Sequence, residues 1–177
     1  MRENFSTAGS IRRAAGAALA ATVLTLGFSA CDQTGSVGQA SLGPSCSGSD
    51  LCLGIRYVTY KVDGDPIVDE ASAVENIDAT NQMWKQCGIQ FQIDSYEAVQ
   101  ASDYGLASSG GTVPNQTSKI RSTFDDGRSL LVVQTGDWGT TKNAWTAMPG
   151  SDSYGAVFEA AVADYPQIMA HELGHYL

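Results

Sequence analysis

Histidine is nearly missing from this chain, with two residues in 177. Basic side chains are scarce too: 10 Lys and Arg stand against 19 Asp and Glu, for a net charge of −9. So few cations cannot neutralise a row of phosphates, which excludes nucleic acid as a partner. Four cysteines are too few for a disulfide scaffold. Charged residues make up only 16%, against 43% hydrophobic, a balance that supports a packed core and excludes wholesale disorder. No internal repeat is present, and the length suits one domain with a tail.

The long uncharged apolar run sits at the N-terminus. Arg2, Arg12 and Arg13 precede Ala14 to Ala30, a small-residue stretch that ends in Ser29-Ala30. Its Ala-rich composition and basic flank fit an export signal better than a membrane-spanning helix. Arg12-Arg13 hints at a twin-arginine signal, but the flanking residues match poorly. The run Phe28-Ser29-Ala30-Cys31 resembles the lipobox of bacterial lipoproteins, with Phe28 in place of the usual aliphatic residue. That resemblance implies lipidation of Cys31, an exported protein of the cell envelope, and contact with the membrane only through the lipid anchor. Plain secretion and an uncleaved anchor are the alternatives. Removing residues 1–30, with their three Arg and one Glu, takes the net charge from −9 to −11. Asp32 to Asp50 is rich in Gly, Ser and Gln and poor in apolar residues, as befits a flexible tether. The organisation is therefore a signal over 1–30, a tether over 31–50 and a domain over 51–177. An exported location permits disulfides. Besides Cys31, one bridge can form, either Cys52–Cys87 or the short Cys46–Cys52 loop, and one thiol is left over.

Within the domain, Leu53 to Val62 is β-rich with both faces partly apolar, and Asp63-Gly64-Asp65-Pro66 is a turn. Asp69 to Cys87 reads as a helix, acidic at its start and closed by Gly88. Its stripe of Ala73, Ile77, Thr80 and Trp84, joined by Val74 and Met83, is a core face. Ile89 to Asp94 alternates as a half-buried strand. Ala101 to Phe124, polar and Gly/Ser-rich, is expected to be a long loop. Leu130 to Val133 has the continuous apolar character of a central strand buried on both faces. Gly136 to Gly150, holding Trp138 and Trp145, suits an edge strand or a cleft rim. Tyr154 to Ala161 offers another strand, and Pro166 is placed to open a final helix. The order implies an α/β or α+β layer fold, a mixed twisted sheet with one long helix and a C-terminal helix.

Both histidines fall in that last helix, in His171-Glu172-Leu173-Gly174-His175. One helical turn apart, the two imidazoles share a face and can reach one zinc ion. Glu172 lies about 100° round the axis, where it can miss the metal and meet the water that zinc activates. It can take that proton as general base and later hand one to the leaving amine. Histidines four apart (~1 in 90) with a glutamate after the first (~1 in 30) arise together by chance about 4 times in 10,000. The bland alternative is a surface helix with a solvated histidine pair. The flanking Ile168, Met169, Ala170 and Leu173 make the helix largely apolar, and burying those polar groups without a purpose is costly.

On this motif, and on the Leu-Gly pair and the apolar residue after it, the chain resembles the zincin metallopeptidases, the metzincin clan in particular. The preceding order of strands and helix over 51–177 is similar to the N-terminal subdomain of that clan. The resemblance implies a zinc endopeptidase acting on peptide or protein substrates, with His171 and His175 as ligands and Glu172 as catalytic base. It also implies an upper-rim edge strand that aligns the substrate, for which Gly139 to Ala147, including Trp145, is the counterpart, with peptide bound by strand addition. The clan continues its motif as H-E-x-x-H-x-x-G-x-x-H, which would place a third ligand at position 181. The third ligand, the methionine turn and the C-terminal subdomain are not in this sequence, so the expectation is a truncated catalytic domain. The competing expectation is a non-enzymatic exported lipoprotein, a peptide-binding or surface-interaction domain that has lost its metal site.

Overall fold

Alternating apolar side chains from Leu53 onward build the central strand of a mixed α/β fold. The computed structural model describes residues 46, 48, 51–109, 114–141, 143–146 and 155–177, all within the unit Val37–Leu177. The expected signal, most of the tether and Cys31 lie outside the described residues. Strand β1, Leu51–Val62, turns over at Asp63 and Gly64, both with positive φ, and pairs antiparallel with the short β2, Asp65–Pro66. Two consecutive left-handed residues are what a tight hairpin twisted like its strands requires.

Helix α1, Glu70–Trp84, starts where the Asp69 carboxylate accepts the Ser72 N–H at 2.8 Å. It tightens into a 3₁₀ turn over Lys85–Cys87 and stops at Gly88, whose φ of 69° only glycine adopts without strain. The helix therefore matches the span expected. Strand β3, Ile89–Val99, runs parallel to β1 and extends five residues beyond the expected end. The register slips by one between Ile55 and Arg56, leaving Asp94 as the extra residue. Then come α2, Pro114–Phe124; β4, Leu130–Gln134; β5, Ala144–Thr146; β6, Ala156–Phe158; and α3, Pro166–Gly174. The main sheet runs β3-β1-β4-β6-β5, parallel except for β5, which is antiparallel to β6 at the edge.

Side chains of β1 divide the core in two. Ile55 and Tyr57 face α1 and α3, with Phe91, Phe158, Met169 and Leu173. Val58 and Tyr60 face α2, with Ile120, Phe124, Leu131 and Val133. Strand β4 sends Val132 to the first cluster and Leu131 and Val133 to the second, which explains its continuous apolar run.

The expected loop over Ala101 to Phe124 is corrected by the structure. Ala101–Tyr104 is a 3₁₀ turn and Pro114–Phe124 is a helix. The buried stripe of α2 is Thr117, Ile120, Arg121 and Phe124, at helical spacing but half polar, so hydrophobicity alone does not reveal its period. The expected strand over Tyr154 to Ala161 shortens to three residues, because Ala160–Val162 winds into a 3₁₀ turn; Tyr154 itself lies outside the described residues.

Of the two disulfides left open, Cys46–Cys52 forms, and Cys87 is free and exposed. Leu53 packs toward α1, so strand alternation turns Cys52 to the opposite face, away from Cys87 at the end of that helix. Strand β3 is an edge, and α1 covers part of it. The buried Asn81 amide donates to the Phe91 carbonyl at 2.9 Å and accepts the Phe91 N–H at 2.7 Å, standing in for a neighbouring strand. Among the described residues, no helix is long and apolar enough to cross a membrane.

Candidate metal centre

The site is built on α3, and α1 holds α3 in place. Pro166 supplies a preset φ at the first helical position, as its place in the sequence predicts. Three residues of α1 spaced by four then donate to successive carbonyls along the α3 segment. Asn76 Nδ2 reaches Ala163 O at 2.8 Å, Thr80 Oγ1 reaches Pro166 O at 3.5 Å, and Trp84 Nε1 reaches Ala170 O at 3.2 Å. Two residues of the stripe read as plain core, Thr80 and Trp84, are therefore also donors, and Asn76 beside the stripe is a third. Nothing in its spacing distinguishes the two roles, because the acceptors lie almost ninety residues away.

Gly174 explains the Leu-Gly pair of the motif. A Cβ there would lie 2.9 Å from Trp84 Cζ2, closer than real contacts allow. The indole is fixed by its bond to Ala170, so it cannot simply swing away. Gly174→Ala is expected to cost about 1–3 kcal/mol by overpacking. A denaturation midpoint equal to that of the unsubstituted protein would show that the two helices are not in tight contact here.

His171 and His175 present their rings side by side, centroids 4.9 Å apart and planes at 83°. Two imidazoles bound to one tetrahedral ion at zinc–nitrogen distances of about 2.1 Å have ring centroids roughly 5 Å apart, a separation similar to that of this pair. His171 is exposed and lines an open depression of about 310 Å³ with Trp84, Cys87 and Gln167. Glu172, between the histidines, points inward; it is 8% exposed and accepts a hydrogen bond from Thr146 Oγ1 of β5. The three motif residues thus separate into two adjacent imidazole rings and one carboxylate turned toward the sheet edge. Among the described residues, no group of three His, Cys, Asp or Glu gathers that could hold a metal.

The edge expected around Trp145 is β5. Its neighbour β6 is on one side, and no described strand pairs with the other. Glu159 N–H donates to Asn143 C=O at 2.8 Å. Antiparallel alternation then makes Trp145 and Val157 the next hydrogen-bonded pair and turns the N–H and C=O groups of Ala144 and Thr146 outward. The Trp145 ring packs on the α2 face of the sheet, across from α3. It is the backbone on either side of Trp145, not the indole, that lies open beside Glu172. Ala147, the end of the expected rim, lies outside the described residues.

Sequence reasoning missed Thr146 and Arg121, which approach the site from β5 and α2. A larger depression of about 530 Å³, lined by Arg56, Asp94, Glu97 and Arg128, lies between β3 and the loop before β4. Arg56 pairs there with Glu97 at 2.9 Å, and the Asp94 carboxylate accepts from the neutral Gln92 and Ser129.

No family model matches the chain, and no curated protein does. Eight chains of solved structures match it. One, from the structure of a chaperone-substrate complex, is 17% identical over 70% of this chain, with a TM-score of 0.48. This chain spans 23% of that chain's length.

Proposed function

We propose that this chain carries the catalytic helix and the substrate-side sheet of a zinc-dependent endopeptidase. The observation that carries the proposal is the pair of imidazoles at zinc-sharing separation, with a buried carboxylate between them aimed at an edge strand. His171 and His175 would hold the ion, with a third ligand from outside the described residues. Zinc supplies the Lewis acidity that makes water acidic near neutral pH and polarises a carbonyl. Glu172, hydrogen-bonded to Thr146, would take a proton from the attacking water and return it to the leaving amine. A peptide pairing with the outward groups of Ala144 and Thr146 lies alongside that carboxylate, by strand addition. The export signal and lipobox-like Cys31 would carry this domain outside the cell on a lipid tether.

The full protein is expected to contain one zinc per chain, and His171→Ala and His175→Ala are each expected to lose it. Metal analysis of the unsubstituted protein decides the matter. Less than a tenth of an equivalent would overturn the peptidase reading. It would favour instead an exported peptide-binding domain without metal, to which the two-ligand set among the described residues also corresponds.

A further inference from the structure

Arg121 belongs to α2, on the far face of the sheet from the two imidazoles, and is 3% exposed. A cation buried that deeply is ordinarily met by a carboxylate. Among the described residues the ion pair present is Arg56–Glu97; Arg121 makes none, and its Nε is buried without a hydrogen-bond partner. What the guanidinium does hold is the edge strand. Nη2 donates to the Trp145 carbonyl at 3.1 Å. That carbonyl already faces β6 within the ladder, so Arg121 takes its second lone pair.

The path of the side chain has been kept clear for it. Gly155 adopts φ +146°, and a Cβ there would meet Arg121 Cγ at 3.1 Å and Leu131 at 3.0 Å. Beyond Gly155 the guanidinium is buried. Burial pulls it below the usual arginine range, and the nearby Tyr176 and Glu172 act against that pull. The guanidinium thus holds a β5 carbonyl, and the next residue of that strand, Thr146, holds the motif glutamate.

We propose that Arg121 is a positioning residue of the site, clamping β5 through the Trp145 carbonyl and setting it against the last turn of α3 beside Glu172. Strand β5 has three residues and one described neighbour, so its own ladder supplies few bonds, and one added from below is a large share of what holds it. The planar fork of arginine suits the task, because one nitrogen can fix the carbonyl while the delocalised charge still faces α3. The part of the inference that concerns peptide alignment rests on the peptidase reading; the clamp on β5 does not.

The test compares Arg121→Met and Arg121→Lys with the unsubstituted full protein. Amide exchange by NMR is followed at Trp145, Val157 and Glu159 and, as a reference, at Tyr57 and Val132. In Arg121→Met the β5 and β6 amides are expected to exchange at least tenfold faster relative to the reference amides. The KM for a peptide substrate is expected to rise at least tenfold, with kcat within threefold. Arg121→Lys, which keeps the charge and one donor, is expected to restore part of both. Unchanged relative exchange in Arg121→Met overturns the clamp whatever the activity. Faster exchange with an unchanged KM overturns the positioning role. If the strand loosens but the unsubstituted protein neither binds zinc nor cleaves peptide, the peptidase reading falls and the clamp stands. Should Arg121→Met fail to fold, Arg121→Lys is read by the same two measures.

Discussion

Glu172→Gln is expected to lower kcat for peptide hydrolysis by about 10² to 10⁴-fold while zinc content and fold stay intact. Each tenfold is about 1.4 kcal/mol of barrier, so the loss is roughly 3 to 5 kcal/mol of transition-state stabilisation. The substitution isolates the proton-transfer role because the amide keeps an oxygen that can accept from Thr146 Oγ1, so the contact between α3 and β5 survives. It leaves His171 and His175 untouched, and their spacing is set by the helix rather than by the residue between them. The decisive measurements are steady-state kinetics and metal analysis on the same sample. Cleavage within threefold of the unsubstituted enzyme, with zinc present, would remove Glu172 from the mechanism. Loss of zinc together with activity would instead assign it a part in holding the metal.

The largest stability effect is expected at Asn81. Its side-chain amide satisfies both backbone groups of Phe91 on the outer side of β3. In Asn81→Leu those two groups remain buried with no partner, because the leucine offers neither donor nor acceptor and excludes water from the gap. At about 1–3 kcal/mol for each unsatisfied group, the loss is roughly 2–6 kcal/mol. Against a typical total of about 5–15 kcal/mol, that is a large share of what keeps a domain folded. Urea denaturation should show a lower midpoint with an unchanged slope. A shift worth less than about 1 kcal/mol would mean that water or a moved strand takes over the Phe91 groups.

Much of this architecture was legible before any coordinates, for reasons that differ from element to element. Helix α1 carried an acidic start, an apolar stripe and a closing glycine, all of them signals within twenty residues of one another. Strand β4 was legible because a strand covered on both faces must be apolar at every position. Helix α2 was not, since Thr117 and Arg121 occupy half of its buried stripe. Their burial depends on partners that only the folded chain brings near, above all the Trp145 carbonyl met by Arg121. The choice between the two disulfides was equally out of reach, because it turns on which face of β1 Cys52 occupies relative to the end of α1.

For the candidate site the division is similar. His171, Glu172 and His175 were identifiable because helix geometry alone brings residues i and i+4 together. Their chemistry is a local property of a five-residue pattern. By itself, then, the sequence determined the layer class, the helix bearing the motif, and the separation of two imidazole rings from one carboxylate. The tertiary structure decided the rest: Thr146 on Glu172, Trp84 against Gly174 and Arg121 beneath β5 around the site, and Asn81 on the β3 edge away from it. Each of those contacts joins residues 10 to 90 positions apart along the chain. No sequence periodicity encodes such pairs. They exist because burial of the two core clusters forces α1 and α3 onto one face of the sheet and α2 onto the other, and polar groups trapped there must find partners or destabilise the fold.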